Sequence, residues 1–414
     1  MSDVASTSES VFISRQPIFD RDKAIWGYDI VACCSDLTCR VDMEQLRKDA
    51  HWLLTDGLAL ALHELPAGRK ALLHVPASLL ALGTPLPPND RCALFIFMDC
   101  PPDEAFFSAC QGLKNAGYML FLSTDMITSD LAPILGVAEA MVVDVAGLPP
   151  MEIAKLRKSF KKFPWQLLAR NISDWQAFEG TRFLGFTYFS GSFFGKPMLA
   201  AEKVLAPGAL ARLQLLRALN VPECDMIELA DIVSHDAALS LRLLKYINSP
   251  AFGLQQKVQS MRNAITLLGL KQFKQWAMVV LMADMDKSDK GGELSYLALL
   301  RARFLEQTSM RAVQAPYPSE TMFLLGMFSF LDAMLGQEMS KILSDMPLDE
   351  ELKAALCGEK NTVRPWIDLV ANVEAGNWSV VREIVDSFEI EATAAALDYL
   401  KAATWARSNF SAAR

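Results

Sequence analysis

The residue types able to do chemistry are few and scattered along the chain. Of four histidines, His51, His63 and His74 fall early, and His235 stands beside Asp236. An adjacent His-Asp pair is a donor set that metal-dependent hydrolases use, but such a site needs further imidazoles or carboxylates. No other histidine follows the first third of the chain. A local role fits the pair better, because Ser234 reads as an N-cap and a carboxylate at 236 complements the helix dipole. The cysteines (Cys33, Cys34, Cys39, Cys92, Cys100, Cys110, Cys224 and Cys357) are irregularly spaced with no C-x-x-C pair, so a zinc site is not indicated. Several lie in apolar runs and read as buried, reduced thiols. No glycine-rich phosphate loop is present. Gly291-Gly292 falls in the polar stretch Lys287 to Glu293, which reads as a flexible loop. No serine or cysteine nucleophile has suitable partners nearby.

At 414 residues the chain is long enough for two or three domains. With 52% hydrophobic and 21% charged residues it can bury substantial cores, which argues against global disorder. A net charge of −8 offers no general attraction to phosphate backbones, so a nucleic-acid partner is not expected. The cluster Lys155, Arg157, Lys158, Lys161, Lys162 has helical spacing and reads as a solvated helix face. The nineteen methionines, as in Met278, Met282 and Met285, read as core filling. Residues 1–10 are polar and acidic and read as a disordered tail rather than a signal peptide. No apolar run is long enough to span a bilayer, and Trp276 to Ala283 suits a buried helix instead. A cytoplasmic protein with no membrane partner is the expectation.

Two periodicities divide the chain. Up to about residue 197, short apolar runs alternate with amphipathic stretches. Strands are predicted at 26–33, 71–75, 92–98, 118–122, 141–145, 166–170 and 183–189, with helices near 42–64, 103–116, 151–163 and 174–182. This βα alternation implies a largely parallel sheet that could close into a barrel. Residues 198–208 read as a linker, with Pro207 and Gly208 as breakers. From there to about 405 the pattern is helical. Asp225 and Glu228 form a capping-box pair, and Leu239, Leu243 and Ile247 form a buried stripe. Ser260 caps a further helix carrying Ile265 and Leu268 that closes at Gly269. The stretch around Trp405, Arg407 and Phe410 reads as a terminal helix, with 406–414 as a tail.

Two segments then carry a resemblance. Phe12-Ile13-Ser14-Arg15-Gln16-Pro17-Ile18-Phe19-Asp20, with Gly27-Tyr28-Asp29-Ile30, resembles the opening of EAL-domain cyclic-di-GMP phosphodiesterases joined to an HDOD domain. Gly185-Phe186-Thr187-Tyr188-Phe189-Ser190-Gly191-Ser192-Phe193-Phe194 resembles the end of that domain. In the second half, the run Leu243 to Leu254, with Asn248, Ser249, Pro250, Phe252 and Gly253 at its centre, is similar to an HDOD domain. The resemblance implies a modified TIM-like (β/α) barrel over 11–197 followed by an all-helical HDOD domain over 209–405, an α/β plus all-α architecture.

The same resemblance implies where a divalent-metal phosphodiesterase site would lie, and the residues there have changed. A glutamate ligand becomes Asp29 and an asparagine ligand becomes His74. A third-strand glutamate becomes Phe95. A paired aspartate motif becomes Ser123 and Thr124, with Asp125 turned to the opposite face. A lysine becomes Val142, leaving Asp144. Later glutamates become Arg170 and Ser173, a late glutamine becomes Ser190, and a phosphate-gripping arginine becomes Cys33. Hard dications need several anionic oxygens, and this set loses carboxylates while gaining an arginine. In the second half, Ser329 and Phe330 stand where the related hydrolases carry His-Asp. The expectation is a degenerate pair of sites, no catalysis, no metal and no cofactor. The chain is expected to act as a signalling adaptor for other proteins, with homo-oligomerisation left open. The alternative is a receptor that binds a nucleotide such as cyclic-di-GMP without hydrolysing it. The side chains at 29, 74, 95, 123, 124, 142 and 170 are expected to converge at one end of the barrel.

Overall fold

The structure, a computed structural model, describes residues 12–33, 43–63, 65–81, 86–123, 136–198, 207–220, 237–248, 258 and 260–413. The chain divides into two compact units. The first comprises Met1–Lys196 with Gln307–Ala315 and Asp368–Lys401, and the second comprises Pro197–Glu306, Pro316–Ile367 and Ala402–Arg414. The sequence reading had assigned all of 209–405 to one helical domain; by contacts, two of those segments group with the N-terminal half.

Among the described residues the first unit contains a closed barrel of strands in sequential order. These are β1 (Phe12–Phe19), β2 (Ile25–Cys33), β3 (Lys70–Pro76), β4 (Cys92–Phe97), β5 (Leu120–Ser123), β6 (Ala140–Asp144), β7 (Gln166–Arg170) and β8 (Tyr188–Ser190). From β2 to β8 neighbours are parallel, while β1 is antiparallel to both β2 and β8. This inverted strand is what modifies the TIM plan. The sequence reading placed seven of the eight strands. It treated Phe12–Phe19 as a motif and did not assign it a strand, and it began the last strand at 183, which lies in the preceding helix.

Between strands run α1 (Met43–Trp52), α2 (Leu58–His63), α3 (Ala77–Ala81), α4 (Glu104–Asn115), α5 (Pro150–Ser159) and α6 (Trp175–Phe183). Asp103 and Asp174 cap α4 and α6 by accepting from the backbone N–H groups of Phe106 and Ala177. Lys155, Lys158 and Lys161 are exposed, as a solvated face requires.

The lumen is filled by Ile18, Leu72, Ala93, Phe95, Phe121, Ala140, Val142, Leu168 and Tyr188, with Trp26 and Met119 packed against them. Inward residues two apart along each strand produce these layers. At the β8–β1 seam, Gly191 has φ +147°, and a Cβ there would meet the backbone of Ile172 at 2.3–2.9 Å. The amide of Ile172 donates to Ser190 O and its carbonyl accepts from the Phe193 amide. Only glycine fits between these bonds.

The second unit is helical. Its elements include α7 (Pro207–Leu219), α8 (Ala237–Ile247), α9 (Met261–Leu268), α10 (Leu270–Met285), α11 (Asp289–Ser309), α12 (Ser319–Phe328), α13 (Leu331–Leu335), α14 (Met339–Leu343) and α15 (Glu350–Leu356). Beyond them follow α16 (Arg364–Ala375), α17 (Trp378–Ser387) and α18 (Ala392–Ala413). Leu239, Leu243 and Ile247 are buried, and so is the run Trp276–Ala283. Ser260 accepts from Asn263 N as the cap of α9, and Gly269 closes it at φ +76°.

Three expectations are corrected. Pro207 opens α7 instead of breaking the chain, because the first helical turn needs no N–H donor at that position and proline has none to lose. Gly291 and Gly292 lie inside α11, not in a loop, and a Cβ at 291 would meet Asp286 at 2.2–2.4 Å. Residues 406–413 continue α18, so they form no tail. The 1–10 tail, most of the 198–208 linker, the Asp225 capping box and the Ser234-His235-Asp236 turn lie outside the described residues.

Candidate functional site

The site begins with a strand irregularity. Ile18 pairs with Gly27 and Phe19 with Ile25, leaving Trp26 as the extra residue of a bulge. Trp26 and Asp29 are three apart and would point to opposite faces of a regular strand. The bulge restores them to one face: the Trp26 ring meets Phe121 and Tyr188 in the lumen, at centroid separations of 5.7 and 4.9 Å, while Asp29 meets lumen-facing partners from β3 and β7.

Asp29 is fully buried. His74 Nε2 lies 2.6 Å from one of its oxygens, and Arg170 Nη2 lies 3.1 Å from the other. The second contact is an ion pair off the line of a hydrogen bond. Burial pushes the Asp29 carboxyl up, but the charges of Arg170 and His74 and the bond from His74 outweigh it and hold it at about 2. Ionised, the carboxylate only accepts, so His74 Nε2 carries the proton. Phe95 completes the group: His74 meets its ring edge-on at 5.0 Å, and the Arg170 guanidinium lies 5.5 Å from its centroid.

The other positions are placed as follows. Ser123 and Val142 are paired across β5 and β6, and Val142 belongs to the lumen core. Thr124 lies outside the described residues, as does Asp125. Asp144 sits at the exposed end of β6, where Ala146 N and Asn171 Nδ2 donate to its two oxygens at 2.9 and 2.8 Å. Asn171 holds this geometry from the left-handed region at φ 59°, where asparagine is among the side chains best tolerated. Ser173 donates to the capping carboxylate of Asp174. Ser190 is buried at the seam, and Cys33 is buried. Asp29, His74, Phe95 and Arg170 therefore form one cluster, Ser123 and Val142 border it, and Asp144, Ser173 and Ser190 serve local structure.

These donors do not fit a divalent cation. Phe95 and Val142 offer no oxygen, Asp144 is engaged by Asn171, and the Asp29 carboxylate already faces a guanidinium and an imidazole. Among the described residues no group of three His, Cys, Asp or Glu side chains is arranged to hold a metal ion.

In the helical unit, Asn248 explains its place in the HDOD-like run. Its amide donates to Leu244 O and Val258 O and accepts from Val258 N, each at 2.8 Å, so it clasps both ends of the segment it opens. Ser249, Pro250, Phe252 and Gly253 lie outside the described residues. At Ser329 and Phe330, where the related hydrolases carry His-Asp, the largely buried Arg301 donates to Ser329 Oγ at 3.2 Å and lies 3.9 Å over the Phe330 ring. Burial lifts the nearby Asp332 carboxyl to about 6, against the pull of backbone hydrogen bonds and of Arg301 and Lys290. Sequence reading missed Arg301 because an arginine amid apolar helical positions carries no spacing signal.

No helix of the described residues is long and apolar enough to cross a membrane. A profile of the HDOD domain matches residues 207–314. The uncharacterized protein YuxH of Bacillus subtilis is 26% identical over 405 residues, spanning 95% of this chain and 98% of YuxH. The cyclic di-GMP phosphodiesterase CdgJ of Vibrio cholerae is 25% identical over 387 residues, spanning 91% of this chain and 88% of CdgJ. Among solved structures, an EAL domain protein from Listeria monocytogenes aligns over 47% of this chain and 94% of its own, at 14% identity and TM-score 0.37. The YkuI protein of Bacillus subtilis, with an EAL domain in complex with cyclic-di-GMP and calcium, aligns over 61% and 69% at 15% identity and TM-score 0.36. An HDOD match at residues 207–314 and similarity to CdgJ over most of both chains lead to one conclusion: the chain carries an HDOD domain and is similar to the two-domain signalling proteins that join an EAL-type barrel to one.

Proposed function

We propose that this protein is a non-catalytic cytoplasmic adaptor, with the barrel as a rigid platform and the HDOD half offering docking surfaces to other signalling proteins. One observation carries the reading: the chain's own Arg170 and His74 neutralise Asp29, the carboxylate that a metal-dependent EAL reaction would need free. A dication of the magnesium or calcium type takes six or more oxygen ligands. Binding one here would require expelling a guanidinium and supplying carboxylates that positions 95, 123 and 170 do not carry.

A receptor reading has its own support. The side chains of His74 and Arg170 are 21% and 25% exposed, so an imidazole and a guanidinium beside an aromatic ring remain reachable. That chemistry suits a phosphate attached to a base, and CdgJ, similar over most of its length, is named for cyclic di-GMP.

Three assays on the full chain separate the readings. Cyclic-di-GMP incubated with magnesium or manganese is expected to yield no linear product; turnover abolished by Asp29→Ala would overturn the adaptor assignment in favour of an enzyme. Calorimetry with a nucleotide panel should give no saturable heat for an adaptor and a clear isotherm for a receptor. Capture from native lysate should recover a stable protein partner, and its repeated failure would count against the adaptor.

A further inference from the structure

The first unit includes a piece of the C-terminal chain, and its contacts converge on the part of the barrel nearest Asp29. Glu374 O, at the end of α16, accepts from Ser14 Oγ at 3.1 Å and from Gln16 Nε2 at 3.0 Å. Gly376, at φ +73°, approaches Val31 so closely that a Cβ there would lie 2.8 Å from Val31 Cγ1. Phe12 packs against Trp378 and Tyr399 with tilted rings, centroids 5.7 and 6.4 Å apart. All three aromatic side chains are almost completely buried. Arg311 grips Asp398 through two bonds of 2.5 and 2.9 Å, which secures the helix carrying Tyr399.

These contacts share one face. Gln16 is the cross-strand partner of Asp29, and Ser14 is the partner of Val31. Directly paired residues point to the same side of a sheet, and so do residues two apart. Phe12, Ser14, Gln16, Asp29 and Val31 therefore all lie on the lumen side of the β1–β2 hairpin, and the turn 374–378 lies against that side. Because β1 is inverted, its first residues and the last of β2 extend past the C-terminal rim, the end of an α/β barrel at which ligands bind. The turn is held by two side-chain bonds to a single carbonyl, one glycine approach and the Trp378–Phe12 contact, an interface small enough to open locally without unfolding its surroundings.

We propose that the turn 374–378 is a latch on the rim of the barrel, and that its docking controls access to the Asp29–His74–Arg170 cluster. Docked, it covers the hairpin beside Asp29. Released, it bares that side of the mouth and frees the strand that holds Asp29. The latch operates whether the cluster binds a ligand or only a partner's side chain.

The geometry supplies its own test. The ideal Cβ at 376 would lie 3.7 Å from Val31 Cβ, the separation that a disulfide bridges, about 3.8 Å. The full chain carrying Val31→Cys with Gly376→Cys should form that bridge on oxidation, located by peptide mapping. Modification of Arg170 by phenylglyoxal should then be slower in the bridged protein than after reduction, with Gly376→Cys alone as the control for backbone strain at φ +73°. Ser14→Ala with Gln16→Ala, which removes both bonds to Glu374, should speed amide exchange across 374–378 by about tenfold and speed Arg170 modification with it. Failure of the bridge to form, or equal Arg170 reactivity in bridged, reduced and released proteins, would overturn the latch. Should the released variant fold poorly, the comparison of oxidised with reduced protein decides alone.

Discussion

An ionised carboxylate without solvent contact costs several kcal/mol unless opposite charges face it, and Asp29 meets that condition with groups from two other strands. Removing one partner should therefore be far worse than removing both. Arg170→Ala is expected to destabilise the barrel by about 3–5 kcal/mol, whereas Asp29→Leu combined with Arg170→Met should recover most of the loss; denaturant unfolding of the three variants measures the cycle. Two aspartates, Asp29 buried and Asp332 partly so, should also bend the pH profile in opposite directions. Asp29 is held at about 2, below the usual carboxylate range, so its contribution is complete above about pH 4 and disappears as pH falls through 2. Asp332 is lifted to about 6, so the native state holds its proton more tightly than the unfolded chain, and stability falls as pH rises from about 4 to 6. Asp332→Asn should flatten that fall and raise stability at pH 7 by up to about 3 kcal/mol, as read from unfolding midpoints across pH.

At the scale of elements, glycines separate positions where packing decides from positions where only propensity does. Gly326 in α12 meets the α11 backbone so closely that a Cβ would lie 2.4 Å from Ala302 N. Gly326→Ala should cost about 1–3 kcal/mol or more by overpacking against backbone that cannot yield. Gly180 in α6 has open space around its Cβ direction, and Gly180→Ala should stabilise by about 0.5–1 kcal/mol. Thermal melts of both variants test the contrast. The same distinction sets what the sequence could reveal. Gln166–Arg170 was legible to the residue because an apolar run bounded by loop residues has no helical alternative. The inverted Phe12–Phe19 strand was not assigned, since Arg15, Gln16 and Pro17 interrupt its apolar pattern, and their roles come from the β2 partner and from Glu374. Gly291-Gly292 looked like a loop because glycine signals flexibility locally, whereas close approach to Asp286 is a tertiary fact. In the site, the exchanges at 29, 74, 95 and 170 could be read by position, but the ion pair from Arg170 to Asp29 joins residues 141 positions apart through barrel closure. The bulge at Trp26 that aims Asp29 inward left no recognisable mark in the sequence.

On the scale of the whole molecule, each half shows the same substitution of chemistry. In the barrel, Arg170 stands against the buried carboxylate of Asp29; in the helical unit, Arg301 lies over Phe330 and bonds Ser329 where a His-Asp pair would be expected. Guanidinium groups are permanently charged and planar, and they satisfy a buried acceptor without a loosely held ion. On the adaptor reading proposed above, such a molecule keeps two folded cores without the hydroxide-generating centre that hydrolysis needs. The claim underlying this account is that the barrel cluster has its own cation built in. Calorimetric titration of manganese into the full chain tests it most directly: no saturable heat is predicted up to about 1 mM metal, and a micromolar isotherm that disappears with Asp29→Asn would contradict it.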